Sequence, residues 1–179
     1  MAAGTALLAS CEQRSVPEGI EVHFAPGGAP TDAVVHAIDH ATNQILVQAY
    51  SFTSAPIAQA LVEAHRRGIK ARVILDAAQS TEKYSEADFL AHHGISTLID
   101  ARHAIAHNKV IIIDGYAVIT GSFNFTMAAE EKNAENLLII NDPVLASRYT
   151  DNWRAHAAHA DPYSRTRRKE PGSPRRTLD

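Results

Sequence analysis

Cysteine is almost absent from this 179-residue chain, which contains only Cys11. A single cysteine excludes an internal disulfide framework. No apolar run approaches the roughly 18 residues that a membrane-spanning helix needs. Aromatic residues make up 6%, and the net charge of −3 gives no overall sign of polyanion binding. With 45% hydrophobic and 21% charged residues, the chain is predicted to form one globular domain with a substantial core.

The two termini differ from the body of the chain. From Asp161 onward there are six Lys and Arg residues against three Asp and Glu residues, so residues 161–179 are predicted to be a disordered basic tail. Cys11 ends the stretch "LLASC", which resembles a bacterial lipoprotein cleavage box, although no Lys or Arg precedes it. Residues 1–19 are therefore either the remnant of an export signal or a simple terminus, and residues 20–160 are predicted to be the folded domain.

Apolar stretches alternate between strand-like and helix-like spacing along the domain. Thr31 and Ser54 are predicted to cap the first two helices, Thr81 and Gly94 to bracket a third, and the Asp-Pro pair 142–143 to begin the last. Gly115 is suited to a tight hairpin between two apolar strands. The predicted fold is a single α/β domain with a mixed β-sheet and helices on both faces. Its predicted strands are residues 20–25, 44–52, 69–76, 95–99, 108–114, 116–122 and 135–141.

The candidate functional residues cluster around the last three of these strands. Side chains two residues apart share one face of a strand, so His107 and Lys109 are predicted to point the same way. Ser122 and Asn124 share a face for the same reason, if the extended backbone continues through "GSFN". Glu135 begins the next strand and reaches the same end of the sheet. Five polar side chains are therefore expected together.

This combination suits chemistry at a phosphodiester. Such a reaction needs a nucleophile, an acid for the leaving group, and positive or hydrogen-bonding groups around the phosphoryl oxygens. An imidazole can act as nucleophile or acid near neutral pH. Lysine, serine and asparagine supply hydrogen-bond donors, and the positive charge of Lys109 can do the work of a metal ion. No metal or other cofactor is therefore expected in the reaction.

The spacing of these residues resembles a known signature. The pattern His107-x-Lys109-x4-Asp114-x6-Gly121-Ser122-x-Asn124 resembles the HKD motif of the phospholipase D superfamily. The flanking sequences are similar to those of the short, single-motif bacterial endonucleases in that superfamily. The resemblance extends from about Ile20 to His159, which is nearly all of the foldable chain.

The resemblance implies a role for each motif residue. His107 would be the nucleophile that forms a phosphohistidine, and Lys109, Ser122 and Asn124 would hold the phosphate. Glu135 corresponds to the acid that pairs with the histidine, although "EEKNAE" also fits a solvated charged loop. Asp114 corresponds to the motif aspartate. It lies well over 10 Å from Lys109 along the strand at about 3.3 Å per residue, which favours a structural role.

The chain contains one copy of the motif, whereas larger members of the superfamily have two. In-line displacement needs the nucleophile and the leaving-group acid on opposite sides of phosphorus, and one histidine cannot occupy both sides. A two-fold homodimer that places both His107 side chains across one phosphate solves this problem. A homodimer with a shared active site is therefore expected.

Two other pairs of histidines are candidate metal ligands. His92 and His93 are adjacent and point in different directions on a helix, which is typical of surface residues. His156 and His159 lie one turn apart on the last helix, with ligand-like spacing but no evident third ligand. No metal site is predicted.

These observations favour a metal-independent phosphodiesterase that acts as a nonspecific endonuclease. Its expected substrate is DNA, and RNA stays open as a further substrate. One alternative is a phospholipase D that acts on phosphatidyl headgroups, because the catalytic residues would be shared. A second alternative is a nucleic-acid-binding module with little turnover, which the intact motif disfavours. The chain lacks a second motif and long apolar insertions, and this favours the nuclease.

Overall fold

The computed structural model describes residues 16–164. The expectations about Cys11 and about residues 165–179 fall outside this range. The eight strands are Ile20–Ala25 (β1), Gln44–Ala49 (β2), Lys70–Asp76 (β3), Ser96–Asp100 (β4), Lys109–Ile113 (β5), Ala117–Gly121 (β6), Glu135–Asn141 (β7) and Asp161–Pro162 (β8). The five α-helices are Pro30–Asp39 (α1), Ala55–Arg66 (α2), Ala87–His92 (α3), Met127–Glu131 (α4) and Pro143–Ala157 (α5).

All eight strands form one mixed sheet in the order β1-β7-β6-β5-β2-β3-β4-β8. Strands β2, β3 and β4 are parallel, and helices α2 and α3 connect them. Strands β5, β6 and β7 are antiparallel to one another, and β5 is also antiparallel to β2. As a result, one end of the sheet contains the first residues of β5 and β7. The last residues of β2, β3, β4 and β6 lie at that same end.

Helices cover both faces of the sheet, as the sequence predicted. Helices α1, α2 and α3 pack on one face, over a large core that includes Ile111, Ile113 and Ile119. Helix α5 packs on the other face over a smaller core that includes Trp153. The buried Trp153 indole donates a hydrogen bond to the Val47 carbonyl of β2 at 2.8 Å, which anchors the last helix to the middle of the sheet.

The β5–β6 hairpin confirms the turn predicted at Gly115. Asp114 and Gly115 have φ values of 56° and 65°, and the Tyr116 amide donates to the Ile113 carbonyl at 2.9 Å. A positive φ at both central residues matches the right-handed twist of the flanking strands.

Three details differ from the sequence prediction. Helix α1 begins one residue before Thr31, because Ala29 takes the left-handed conformation and Pro30 supplies the first turn. Helix α3 spans only Ala87–His92, because residues 81–86 form turns and irregular backbone where the helix was predicted to start. The predicted disordered tail starts too early at Asp161, because Asp161–Pro162 pairs with β4 as an edge strand. Within the described range, no helix combines the length and apolar character needed to cross a bilayer.

Candidate active site

His107 and Lys109 lie where the chain enters β5. Both precede or begin a strand that is hydrogen-bonded to β2 on one side and β6 on the other, so their backbone is fixed in the middle of the sheet. Lys109 is buried with 8% of its surface exposed, and its Nζ donates to the His107 carbonyl at 3.0 Å. His107 is exposed. The site therefore pairs an accessible imidazole with a sequestered ammonium.

Tyr50 completes this group and was missed from the sequence. Its ring contacts the His107 ring edge-on, with centroids 4.6 Å apart, and the Lys109 ammonium lies 5.3 Å from its centroid. The Tyr50 amide donates to the Asn108 carbonyl at 2.8 Å. The aromatic ring thus orients the histidine and provides a favourable face for the cation.

Burial changes the acid–base behaviour of Lys109. Desolvation lowers the pKa of its ammonium below the ordinary lysine value, and the nearby Glu135 carboxylate opposes part of that change. An incoming phosphate would replace the lost hydration with a negative charge, so the site gains most from Lys109 when an anion is bound.

Ser122 and Glu135 face each other across the β6–β7 pair. The Ser122 hydroxyl donates to one oxygen of Glu135 at 2.5 Å, and Asn133 donates to the other oxygen at 2.9 Å. The Ser122 oxygen also accepts from the Asn136 amide at 3.1 Å. A hydroxyl has one proton to donate. In this arrangement Ser122 therefore holds Glu135 and has no proton left for a phosphate.

The bond from Glu135 to His107 implied by the resemblance does not occur within the described residues. The Glu135 carboxylate bonds to Ser122 and Asn133 instead, and it influences Lys109 through its charge. Within one copy of the chain, the Glu135 carboxylate therefore acts as the counter-ion of the Lys109 ammonium.

Asn124 follows the end of β6 on a segment that turns toward β2. An isolated parallel bridge joins Phe125 to Phe52, and the two rings lie 5.8 Å apart. The segment containing Asn124 therefore runs beside the one containing Tyr50. The Asn124 Oδ1 is buried without a hydrogen-bond partner. Because Oδ1 can only accept, a hydrogen bond from Asn124 to a phosphate oxygen would come from its Nδ2 group.

Gly121 permits the tight approach between β6 and β7 at this point. Its φ is 154°, and an added Cβ would overlap the Asn136 carbonyl. The amides of Ser122 and Phe123 both donate to that carbonyl, at 3.1 and 3.2 Å. The glycine of the motif therefore sets the position of Ser122.

Asp114 lies at the opposite end of β5 from Lys109 and does not join the other motif residues. One oxygen accepts from the Thr42 amide and hydroxyl, each at 2.8 Å. The other accepts from the amides of Asn43 and Gln44 at 2.8 and 2.9 Å. Burial acts to raise its pKa, but these hydrogen bonds outweigh burial and lower it. The structural role suggested by its distance from Lys109 matches these contacts.

Asp114→Ala is expected to reduce stability by about 2–4 kcal/mol, because four donors at the start of β2 lose their acceptor. Catalysis well below the melting temperature should change little. Since the pKa of Asp114 is lowered in the folded state, its stabilising effect is present at neutral pH and is lost as pH falls through that pKa. Urea unfolding at neutral and acidic pH measures this. A large loss of kcat without a loss of stability would contradict a structural role.

A second polar group occupies the same end of the sheet, beyond β3. The carboxylate of Asp100, at the end of β4, is fully buried and is surrounded by the rings of His103, His156 and His159. Burial acts to raise the Asp100 pKa, but hydrogen bonds, first that of His156, lower it. The sequence showed no evident partner for His156 and His159, whereas the fold brings Asp100 and His103, about 50 residues earlier in the sequence, next to them.

The comparisons with known proteins agree with the fold and the motif. A family model described as "Cardiolipin synthase, PLD-like domain" matches residues 34–156. A protein named phospholipase D from Rickettsia felis is 46% identical over 130 residues, which cover 73% of this chain and 65% of that protein. A mitochondrial cardiolipin hydrolase from Xenopus laevis is 33% identical over 113 residues, covering 63% of this chain and 54% of that protein. The chain thus spans less than two thirds of the length of these relatives.

A solved structure also matches closely. The phospholipase D family member Nuc from Salmonella typhimurium superimposes with a TM-score of 0.77 and 39% sequence identity. The match covers 80% of this chain and 97% of that one. This chain therefore contains nearly the whole fold of that protein.

Proposed function

This chain belongs to the phospholipase D superfamily, and we propose that it is a phosphodiesterase that cleaves nucleic acid through a covalent phosphohistidine on His107. The observation that supports this most is the convergence of His107, Lys109 and Glu135 at one end of the sheet. The imidazole is exposed and available for attack. The ammonium is buried beneath it, where the low dielectric strengthens its attraction for a phosphate.

The reaction has two balanced steps. In the first, a ring nitrogen of His107 forms a bond to phosphorus, the bond from phosphorus to the leaving oxygen breaks, and that oxygen takes a proton from an acid on the far side. In the second, a water molecule gives its proton to that group, its oxygen bonds to phosphorus, and the phosphorus–nitrogen bond breaks. Lys109 neutralises charge on the phosphoryl oxygens throughout, and Asn124 orients them by donating a hydrogen bond. Ser122 and Glu135 act by positioning and by balancing the charge of Lys109.

The acid on the far side is His107 of a second copy of the chain. Each chain has one motif, and its own imidazole cannot stand on both sides of one phosphorus. Exposed apolar side chains surround the same end of the sheet: Phe24 beside β7, Ile105 before His107, and Met127 after the Asn124 segment, which are 64%, 57% and 67% exposed. Burying such side chains would favour association of two site-bearing ends.

The shape of the site supports a polymeric substrate. The catalytic imidazole and Ser122 are exposed at the rim of the sheet. A cavity of about 780 Å³ is instead lined by residues such as His36, Asp114 and Tyr116, at the opposite end of β5. An internal phosphodiester of a nucleic acid must be reached from the side while the strand continues in both directions, which an open rim allows.

Phospholipase D activity on phosphatidyl headgroups is the second candidate. It is favoured by the names of the relatives, which include phospholipase D and mitochondrial cardiolipin hydrolase. The exposed apolar side chains near His107 would also suit a lipid surface. The same catalytic residues would perform either reaction, so the substrate must be determined by experiment.

The test compares plasmid DNA, single-stranded DNA, RNA and vesicles of phosphatidylcholine or cardiolipin, in excess EDTA and well below the melting temperature. Wild type, His107→Ala and the control His36→Ala are assayed side by side. His36 is exposed on α1 and lines the distant cavity, so its loss should not affect turnover. DNA cleavage that persists in EDTA and disappears only in His107→Ala is the expected result.

Other outcomes would each point elsewhere. Hydrolysis of the lipids while DNA and RNA stay uncleaved would contradict the nuclease proposal and support phospholipase D activity. DNA binding without cleavage of any substrate would leave only the binding module. Cleavage that EDTA stops at once, in a protein that remains folded, would contradict a metal-independent mechanism.

A further inference from the structure

We propose that Asp100, His103, His156 and His159 form a structural zinc site that joins the C-terminal helix to the loop carrying His107. The four ligand atoms lie within 4.8 Å of one another. A tetrahedral zinc site with bonds of about 2.0–2.1 Å needs ligand atoms about 3.3 Å apart. Side-chain shifts of about 1.5 Å or less would therefore complete the coordination.

The ring nitrogens already point at one carboxylate. His103 Nδ1 and His156 Nδ1 lie 3.0 and 2.7 Å from Asp100 Oδ2, and His159 Nε2 lies 3.3 Å from Asp100 Oδ1. The His159 nitrogen is nevertheless buried without a well-directed hydrogen bond. Three imidazole nitrogens and one carboxylate oxygen are a donor set suited to Zn²⁺.

Burial distinguishes this cluster from an ordinary surface group. The Asp100 side chain is 0% exposed, and those of His156 and His159 are 14% and 20% exposed. An isolated buried carboxylate is unfavourable unless cationic or hydrogen-bonding groups compensate its charge. The His103 side chain is 44% exposed, which leaves an entry path for an ion.

The location gives the site its function. Asp100 ends β4, and His103 lies four residues before His107 on the connection to β5. His156 lies in the last turn of α5, and His159 lies between α5 and the edge strand β8. A metal ion would therefore fix the first half of the loop 101–108, whose second half is already held by the bond from the Ala106 amide to buried Asp76 at 2.7 Å.

This site is separate from the phosphodiester chemistry. The end of β4 is three strands from the start of β5, or about 14 Å at 4.7–4.9 Å per strand. The ion would not contact the substrate. Its removal is expected to loosen the loop and reduce stability without stopping the reaction at temperatures where the protein stays folded.

Metal content and thermal stability test the proposal on tag-free protein. Wild type is expected to retain about one zinc ion per chain after purification. Removal with a chelator should lower the melting temperature by about 5–10 °C, and added zinc chloride, but not magnesium chloride, should restore it. Hydrogen exchange of amides 101–105 should increase in the zinc-free protein.

Variants separate binding from folding. Asp100→Asn and His159→Ala alter buried positions and can fail to fold, so His103→Ala is the decisive variant because its side chain is the most exposed of the four. It should weaken zinc binding at least 10–100-fold. His92→Ala, exposed on α3 and outside the cluster, is the matched control and should bind zinc normally. Zinc-free wild type whose melting temperature does not respond to zinc would overturn the proposal, as would equal weakening in the two variants.

Discussion

Replacing His107 by alanine is expected to lower kcat by about 10⁴-fold or more, because the group that forms the covalent intermediate is removed. Stability should stay within about 0.5 kcal/mol of wild type, since the side chain is exposed and its ring contact is with Tyr50. Single-turnover cleavage of labelled DNA measures the chemical step directly. Quenching the wild-type reaction with alkaline detergent, in which the phosphorus–nitrogen bond is stable, should trap label on the protein, and this label should be absent from the variant.

The control for this experiment is His36→Ala, whose exposed histidine lies on α1. It should match wild type in both turnover and trapped label. A His107→Ala protein that retained substantial turnover would contradict the nucleophile assignment. Label trapped at a different residue would contradict it equally.

The same variant tests the shared site. When equal amounts of wild-type and His107→Ala chains exchange subunits at random, about one quarter of the dimers contain two intact histidines. If catalysis needs both, activity per chain should fall to about one quarter of the wild-type value. Independent sites would leave about one half. A value near one half after complete exchange would therefore contradict a site shared by two copies.

The positions of the main strands along the chain could be predicted because their apolar residues are regularly spaced. Strands β1 and β7 occupy the predicted residues 20–25 and 135–141. The ends of helices were less predictable. Thr31 has the residue type of a cap, yet its amide donates to Glu130, 99 residues away, at 2.9 Å. A tertiary contact of this kind is invisible to local sequence patterns.

The site could be predicted only in part. Strand alternation was enough to place His107 and Lys109 on one face. Tyr50 could not be found in this way, because its position depends on the antiparallel pairing of β2 with β5, in which Ala49 lies opposite Lys109. The role of Ser122 also depended on structure, since the partner of its single proton is set by the β6–β7 register.

The histidine cluster shows the same limit more strongly. His156 and His159 have suggestive spacing on one helix, but their partners Asp100 and His103 belong to a different element of the fold. The packing of α5 against one face of the sheet, with Trp153 buried between them, brings the two pairs together. Local spacing can identify half of such a site and cannot supply the other half.

Lys109→Met is expected to lower kcat/KM by about 10²–10³-fold, because the buried positive charge that attracts the phosphoryl oxygens is lost. The melting temperature should change by no more than about 3 °C. Methionine fills a similar volume and removes the unfavourable burial of an ammonium, which offsets the lost bond to the His107 carbonyl. A residue with a purely structural role would lose stability along with activity, so measuring both distinguishes the two roles.

The pH dependence gives a sharper test of Lys109. Burial lowers the pKa of its ammonium from 10.5, against the smaller opposing influence of Glu135. The protonated form is the one that binds phosphate, so kcat/KM should be highest below this lowered pKa and fall as pH rises through it. Bound substrate favours the charged form, so the fall in kcat should occur at higher pH than the fall in kcat/KM. Arginine stays charged over this range, so Lys109→Arg should be less active but lack the alkaline fall. An unchanged alkaline fall in Lys109→Arg would assign it to another group and remove the lysine from the charge balance of the site.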